Sequence, residues 1–554
     1  MSSTNVDPNG GGGGHDHILR PRPRKPQHTQ VTGLVREHSS GSINGHLEAP
    51  SDGLASGATS GRSTPVNENA PASTKALSSA RKQVRAEQRR RLFPTIEYAS
   101  RVSHFDPESD YRDFHGFFNL FWIGLAIMGI TTMLRNYKDT GYPLRVQIWT
   151  LFTVKLWHLG IADFLMVAST AITLPLHKIC RSQGGLTWDR GGMAIQSIYQ
   201  VGWLSFWVAV PFILNWTWTS QVYLLLHTMV LLMKMHSYAF YNGHLSETEK
   251  RLRALDEPHG ASKAPAYNYP TVEKPMGEVL HGDMDIDSDS EDEGLSQLRE
   301  DLARELTSPI GNVTYPKNLS WSNYIDFLLC PTLCYELEYP RNEKINWTSL
   351  IAKIVATFGC IFLLTIISEE FILPVLQDST IRLDNASSVL DTLLILAETI
   401  SWLLFPFMLI FLLVFLVIFE YVLGAFAEIT RFADRHFYSD WWNSTDWMEF
   451  SREWNVPVYS FLRRHVYATS RPTIGRNMAT IITFLISAIG HEIVMACITK
   501  KIRGYGFICQ MLQLPIVMLQ RTRWIRQHKT ANNVLFWISM ILGLSLICSL
   551  YVLV

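Results

Sequence analysis

Nine apolar runs constrain the fold of this 554-residue chain more than any other feature of its sequence. Each is close to the ~20 residues that a helix needs to cross a hydrocarbon layer ~30 Å thick. Because backbone polar groups in lipid must be bonded within their own segment, such runs predict helices. We therefore expect an all-α, polytopic membrane protein with about nine transmembrane helices, or ten if the longest run divides near Pro406. The runs are residues 117–134, 146–172, 196–214, 219–236, 350–375, 393–427, 478–499, 504–520 and 534–554.

The even balance of charges hides two kinds of sequence. The chain has 49 Lys and Arg against 49 Asp and Glu, so no net charge draws it toward nucleic acid. Of these 98 charged residues, 51 lie in residues 1–114 and 243–320, which contain no long apolar run. We expect residues 1–113 to be a disordered N-terminal region and residues 114–554 to be the transmembrane domain. Within that domain, residues 243–320 form an acidic insert.

The distribution of Lys and Arg between the loops predicts the orientation in the membrane. The N-terminus lacks the apolar core of a signal peptide. The loops 428–477 and 521–533 are rich in arginine, and positively charged loops favour the cytoplasmic side. This places the N-terminus, the acidic insert and loop 428–477 in the cytoplasm, and the C-terminus on the opposite side.

One histidine stands in the middle of an apolar run, where ionisable groups are costly and are candidates for function. His491 lies within residues 478–499, with Ser487 one helical turn earlier on the same face. Burial in lipid keeps an imidazole neutral, which is the form that a general base requires. His227 and His236 lie nine positions apart, about 180° round a helix, so we predict no shared metal site.

The loop before this run is dense in aromatic and arginine side chains, and it admits two interpretations. Aromatic faces stack on an adenine and arginines pair with phosphates, which favours a site for a large polar substrate. The same composition is typical of an aromatic belt with basic anchors at a membrane surface. Four tryptophans carry the pattern, namely Trp441, Trp442, Trp447 and Trp454.

Within this loop, residues 437–443 read FYSDWWN. This resembles the FYxDWWN signature of the membrane-bound O-acyltransferases that esterify sterols and diacylglycerol, and the His-Glu pair at 491–492 follows at the family's spacing. The segments MKMHSYAFYNG (233–243) and PTLCYELEYPR (331–341) are similar to further family segments. Residues 450–467 and 510–515 resemble the fungal sterol branch, so the resemblance extends from about residue 115 to 554.

The resemblance implies an endoplasmic-reticulum enzyme that transfers a long-chain acyl group from acyl-CoA to the 3β-hydroxyl of a sterol. It implies that His491 is the general base and that Asn455 is the second catalytic residue. Acyl-CoA is a co-substrate, no cofactor or metal is implied, and the family suggests a homodimer or homotetramer. Many relatives have histidine where this chain has Tyr459. The residues implied to bind or shape the acyl-CoA path are Phe437, Tyr438, Asp440, Trp441, Trp442, Asn443, Arg452, Trp454, Tyr467, Arg476 and Ser487.

Three alternatives stay open at this point. Within the same family, the acceptor could be diacylglycerol, which would give triacylglycerol. A membrane transporter would use His491 as a proton relay and would move a substrate without consuming acyl-CoA. A scaffold protein would depend on its long polar N-terminal region, so deleting residues 1–80 would remove its function.

Overall fold

A computed structural model gives the arrangement of the chain. Helices dominate the described part of the chain, whose other secondary structure is limited to four isolated β-bridges. This confirms the predicted all-α class. The acidic run 281–294 lies outside the described residues. The structure describes residues 96, 98–106, 109, 115–143, 155–182, 185–214, 216–256, 298–309 and 311–553.

The helices are numbered here along the chain. The transmembrane region begins with α1 His115–Thr140, α2 Leu156–Thr170, α3 Thr173–Arg181, α4 Gly192–Ile213, α5 Trp218–Asp256 and α6 Trp321–Leu329. Its central part comprises α7 Trp347–Ile367, α8 Leu373–Asp384, α9 Val389–Phe415 and α10 Leu423–Thr430. The C-terminal part comprises α11 Trp447–Glu453, α12 Val456–Phe461, α13 Ala468–Ile474, α14 Arg476–Thr499, α15 Tyr505–Gln520, α16 Arg523–Arg526 and α17 Lys529–Leu553.

Seven helical stretches of the described chain are long and apolar enough to cross a membrane. The predicted run 219–236 is not among them, because Gln221, His227, Lys234 and His236 make it less apolar than the others. It forms the first half of α5, a 39-residue helix. The predicted run 504–520 is the shorter apolar helix α15. The seven stretches are Gly116–Thr140, Leu156–Arg181, Gly192–Ile213, Trp347–Asp384, Val389–Thr430, Arg476–Thr499 and Lys529–Leu553.

The longest apolar run does not divide. Val389–Thr430 is one helical stretch of 42 residues, with Pro406 inside it. At ~1.5 Å per residue its length is about 63 Å, roughly twice the thickness of the hydrocarbon layer. The stretch must therefore tilt strongly or extend beyond the membrane, and its C-terminal end leads directly into the loop that carries FYSDWWN.

Three π-helical turns carry buried ionisable side chains, and two of them lie within long helical stretches. The turn Ser368–Ile372 contains Glu369, and the turn Leu416–Val422 contains Glu420. The turn Leu462–Tyr467, after α12, contains Arg464 and His465. Such turns occur frequently at functional sites because they redirect a side chain without ending the helix.

Side-chain caps explain why several helices begin where they do. In each case a side-chain oxygen accepts a hydrogen bond from a backbone N–H that the first turn leaves unbonded. Of these caps, Asn455 is also a predicted catalytic residue. The capping residues are Ser320 for α6, Asn346 for α7, Ser388 for α9, Asp446 for α11 and Asn455 for α12.

Candidate active site

The candidate base His491 lies within α14, and its side chain is exposed. Its Nδ1 atom is 2.8 Å from the backbone carbonyl oxygen of Ser487. Because a carbonyl oxygen only accepts, Nδ1 must carry the hydrogen, and this leaves the lone pair on Nε2. The helix itself therefore holds His491 in the tautomer whose Nε2 can take up a proton. Ser487 contributes through its carbonyl group to this arrangement.

Glu492, beside the candidate base, anchors α14 to α15 and α17. Its carboxylate accepts hydrogen bonds from the backbone N–H of Gly504 at 2.7 Å and of Phe507 at 3.1 Å. The Tyr551 hydroxyl, in α17, donates a third at 2.6 Å. A carboxylate at the start of a helix satisfies N–H groups that would otherwise lack partners. Glu492 therefore fixes the part of α14 that carries His491.

Asn455 caps α12, since its Oδ1 atom accepts a hydrogen bond from the Val458 N–H at 3.1 Å. With the amide oxygen engaged in this way, the chemistry left to the side chain is donation from Nδ2. This is the property required of a group that stabilises a developing oxyanion. The structure forms no hydrogen bond between Asn455 and His491, which belong to different elements.

The FYSDWWN loop holds the backbone on both sides of Asn455. Ser439 N–H donates to the Glu453 carbonyl at 2.8 Å, and Val456 N–H donates to the Phe437 carbonyl at 3.0 Å. These two bonds bracket residues 454 and 455. The position of Asn455 therefore depends on the conformation of residues 437–443.

Three side chains of the predicted acyl-CoA set belong to an aromatic core. Phe437 is 3% exposed, and Tyr438 and Trp441 are each 1% exposed. The Trp441 ring packs edge-on against Phe415, with ring centroids 5.1 Å apart and planes at 66°. Trp454 stacks on Phe411 at 4.5 Å. These side chains give the loop its shape, while direct contact with acyl-CoA remains a prediction.

The rest of the motif lies nearer the surface. The Trp442 carbonyl accepts hydrogen bonds from Asn533 Nδ2 at 3.0 Å and from Trp537 Nε1 at 3.2 Å, which joins the loop to α17. Asp440 is half-buried, and Asn443 is exposed with its Nδ2 atom 3.4 Å from Asp440 Oδ2. Asp440 and Asn443 therefore present polar groups at the loop surface.

The remaining predicted acyl-CoA residues stand on three different elements. Arg476 is the first residue of that helix, and it is exposed. Arg452, in the last turn of α11, is exposed as well. Tyr467 is half-buried at the end of the third π-helical turn. Exposed guanidinium groups are chemically suited to phosphates, and a phenol ring to an aromatic base.

The carboxyl group of Glu453, directly before Trp454 and Asn455, has a raised pKa. Partial burial raises its pKa to about 7, and the nearby carboxylates of Glu449 and Asp440 act in the same direction. The Ser444 hydroxyl donates to it at 3.3 Å, which opposes the shift. The charge of this loop therefore changes near neutral pH.

Sequence reasoning missed two buried ion pairs that support the loop. Glu420 lies within the predicted run 393–427 and pairs with Lys353 at 3.1 Å. Arg464 pairs with Glu336 at 2.7 Å and lies over the Tyr241 ring. An ionisable residue inside an apolar run was the available signal for Glu420. Nothing local in the sequence connects Arg464 with Glu336, which is 128 positions away.

Several other ionisable residues of the predicted spans have partners of their own. His227 contacts Asp163 at 2.5 Å, whereas His236 contacts Gln200 at 3.0 Å. The two histidines thus face different helices, as their spacing predicts. Lys234 Nζ donates to the carbonyl groups that end α6. In the described part of the chain, no three His, Cys, Asp or Glu residues are grouped as metal ligands.

The sequence of the chain is similar to those of membrane-bound O-acyltransferases. The model of the membrane-bound O-acyltransferase family matches residues 194–553. The chain is 39% identical to the probable sterol O-acyltransferase 2 of Schizosaccharomyces pombe, over 80% of this chain and 87% of that protein. It is 33% identical to the sterol O-acyltransferase 2 of Saccharomyces cerevisiae, over 79% of this chain and 66% of that protein. Similarity to the diacylglycerol O-acyltransferase 1 of Dictyostelium discoideum, at 35% identity, covers 46% of this chain and 40% of that protein.

Proposed function

The chain belongs to the membrane-bound O-acyltransferase family, and we propose that it transfers a long-chain acyl group from acyl-CoA to the 3β-hydroxyl of a sterol. The observation that carries the choice of acceptor is the similarity to sterol O-acyltransferases over about four-fifths of the chain. The similarity to a diacylglycerol enzyme covers less than half of it. The products are a sterol ester and CoA.

His491 is the general base in this proposal. As the sterol oxygen attacks the thioester carbonyl carbon, Nε2 accepts the hydroxyl proton and the new C–O bond forms. The C–S bond then breaks, and the imidazolium returns the proton to the departing sulfur of CoA. The reacting atoms must lie within ~3–3.5 Å of each other in the bound complex. The Nδ1 bond to Ser487 supports the proposal because it leaves Nε2 unprotonated.

Asn455 donates to the oxyanion that forms on the thioester carbonyl oxygen. Its cap bond to Val458 engages the amide oxygen, so Nδ2–H is available as the donor. Removing one such donor in other enzymes costs about 3 kcal/mol of transition-state stabilisation. The FYSDWWN loop supplies the rigidity that this role requires, since its backbone bonds lie on both sides of Asn455.

The acyl-CoA path in this proposal runs along the loop and the start of α14. Arg452 and Arg476 pair with phosphates, and Tyr467 and Ser487 line the route of the thioester. Asp440, Trp442 and Asn443 provide the loop surface, while Phe437, Tyr438, Trp441 and Trp454 shape it from within.

The proposed location is the endoplasmic-reticulum membrane, with the N-terminus in the cytoplasm and the C-terminus in the lumen. Loop 428–477 then faces the compartment that supplies acyl-CoA. Residues 114–554 form the catalytic domain, and residues 1–113 together with the insert 243–320 are cytoplasmic. The assembly is a homodimer or homotetramer, as the family resemblance implies.

One assay tests the proposal. Microsomes from cells that lack their own sterol and diacylglycerol acyltransferases are given labelled oleoyl-CoA with either a sterol or diacylglycerol. We expect labelled sterol ester from the wild-type chain and none from His491→Ala at equal membrane abundance. Labelled triacylglycerol without sterol ester would change the acceptor. Substrate movement without CoA release would favour a transporter.

A further inference from the structure

A short segment before the first membrane helix is bonded to the backbone that leads into the FYSDWWN loop. This segment, residues 98–106, is called the strap here, and it lies within the region 1–113 that the sequence predicts to be disordered. Arg101 N–H donates to the Ala433 carbonyl at 3.1 Å, and Arg435 N–H donates to the Arg101 carbonyl at 2.9 Å. The Ala99 N–H donates to Asp434 Oδ2 at 3.1 Å. The strap and the loop backbone thus pair in the manner of a parallel β-bridge.

A forked ion pair reinforces this pairing. Arg101 Nε donates to Asp434 Oδ1 at 3.0 Å, and Arg101 Nη2 donates to Asp434 Oδ2 at 2.7 Å. The Asp434 carboxylate is 5% exposed, whereas the Arg101 side chain is 44% exposed. A two-point contact of a guanidinium with a carboxylate fixes orientation as well as distance. Asp434 stands three residues before the motif.

A second contact reaches the motif itself. The Ser103 hydroxyl is 2.9 Å from the Tyr438 hydroxyl and 2.5 Å from Glu420 Oε2. Tyr438 also donates to Glu420 Oε2 at 3.0 Å, and Lys353 holds the other carboxylate oxygen. Ser103 and Tyr438 are both buried, so a group deprived of its partner here has no water to replace it.

We propose that Arg101 and Ser103 are positioning residues for acyl transfer, which hold the FYSDWWN loop and, through it, Asn455. The route is continuous in hydrogen bonds and covalent chain. Arg101 fixes residues 433–435, Ser103 fixes Tyr438, and the Phe437 and Ser439 backbones hold Val456 and Glu453 on either side of Asn455. Neither strap residue touches substrate in this scheme.

The strap matters to the rate because the candidate base and the candidate donor stand on separate elements. His491 is carried by α14, and Asn455 by the loop that the strap contacts. A displacement of about 1 Å in a group that aligns the reacting atoms costs as much as 100-fold in rate. Releasing the strap would therefore slow acyl transfer even though both catalytic side chains are still present.

The experiment compares purified full-length variants by kcat and KM for oleoyl-CoA per folded molecule, with cholesterol as acceptor. We expect Arg101→Ala and Ser103→Ala each to lower kcat by about tenfold, the factor for one charge-assisted hydrogen bond. Arg101→Lys should recover part of the rate, because it keeps the charge but not the fork. The matched control is Arg304→Ala, which removes an exposed pair with Glu300 and should leave kcat unchanged.

Two double-mutant cycles separate positioning from general destabilisation. Asp434→Ala should lower kcat less in an Arg101→Ala background than in the wild type, and Tyr438→Phe less in a Ser103→Ala background, because part of each effect passes through the strap residue. The remaining effect belongs to the bonds that Asp434 makes with Ala99 and that Tyr438 makes with Glu420. Additive losses in both cycles, or kcat values within about twofold of wild type in folded Arg101→Ala and Ser103→Ala, would overturn the proposal.

The positioning role of the strap rests on the proposed function. A second measurement therefore distinguishes failure of the positioning role from failure of the proposed function. Hydrogen–deuterium exchange at the amides of Arg435, Ser439 and Val456 should accelerate in Arg101→Ala and stay unchanged in Arg304→Ala. If the wild-type chain esterifies neither acceptor, the proposed function fails while this exchange pattern still decides whether the strap holds the loop. Unchanged exchange in Arg101→Ala would refute the strap even in an active enzyme.

Discussion

Asn455 has one role that the structure shows and a second that we propose, and one pair of substitutions can separate them. Its Oδ1 atom caps α12 through Val458, and its Nδ2 group is the proposed oxyanion donor. Asn455→Ala removes both functions, whereas Asn455→Asp keeps an acceptor for the cap and removes the donor. Loss of the cap costs about 1 kcal/mol of stability. Loss of the donor costs about 3 kcal/mol in the transition state, which corresponds to roughly 100-fold in kcat.

We therefore expect both Asn455→Ala and Asn455→Asp to lower kcat, because both remove the donor. The loss should be larger in Asn455→Asp, because a carboxylate repels the oxyanion. Only Asn455→Ala should melt at a lower temperature. The assay is kcat for sterol ester formation with the melting temperature of the same purified sample. A fitting control is Ser388→Ala, which removes the cap of α9 and should lower stability alone. Full kcat in folded Asn455→Asp would refute the donor role, and a stability loss without a kcat loss in Asn455→Ala would make the residue a cap only.

Three further predictions concern the base, its neighbour and the loop charge. His491→Ala should abolish ester formation with the protein still folded in membranes, and turnover at the wild-type rate would exclude His491 as the base. Glu492→Gln keeps one acceptor oxygen for three donors, so it should cost about 2 kcal/mol of stability and lower the melting temperature, which calorimetry would measure. The pKa of Glu453 is raised to about 7 in the folded state, so its contribution to stability is present below the ordinary glutamate pKa and is lost as pH rises through 7. Glu453→Gln should remove that dependence, and melting curves of both proteins at pH 5 and pH 8 would test it.

Local sequence signals predicted the elements more reliably than their connections. The length of the apolar runs located the crossing helices, because hydrocarbon thickness sets a minimum length. It did not reveal that α5 continues for 39 residues, since a helix need not end where its apolar stretch ends. Run length also did not decide whether the run 393–427 would divide near Pro406, because proline is tolerated inside a helix that neighbouring helices support.

In the candidate site, too, local sequence predicted individual residues but not the contacts between distant ones. His491 was identifiable because an imidazole within an apolar run is rare, and Asn455 was identifiable through the family motif. The Asn455 cap was also visible locally, as an asparagine two positions before Pro457. The contact between Arg101 and Asp434 joins positions 333 apart, and no periodic pattern encodes such a pair. Long-range polar contacts of this kind emerge only from the folded chain.

The two candidate catalytic groups are held by different kinds of contact, His491 by its own helix and Asn455 by a loop. We expect changes in the loop contacts to affect the rate first. His491 receives its tautomer from the carbonyl of its own helix, and Glu492 ties that helix to α15 and α17. Asn455 depends instead on a loop whose conformation rests on a buried carboxylate, Glu420, and on the strap. In the proposed mechanism, a substitution in the strap would therefore move the donor Asn455 relative to the base His491, which would stay in place. Because alignment of the reacting atoms must be kept within a fraction of an ångström, control of this enzyme by its N-terminal region would act on the loop rather than on the histidine.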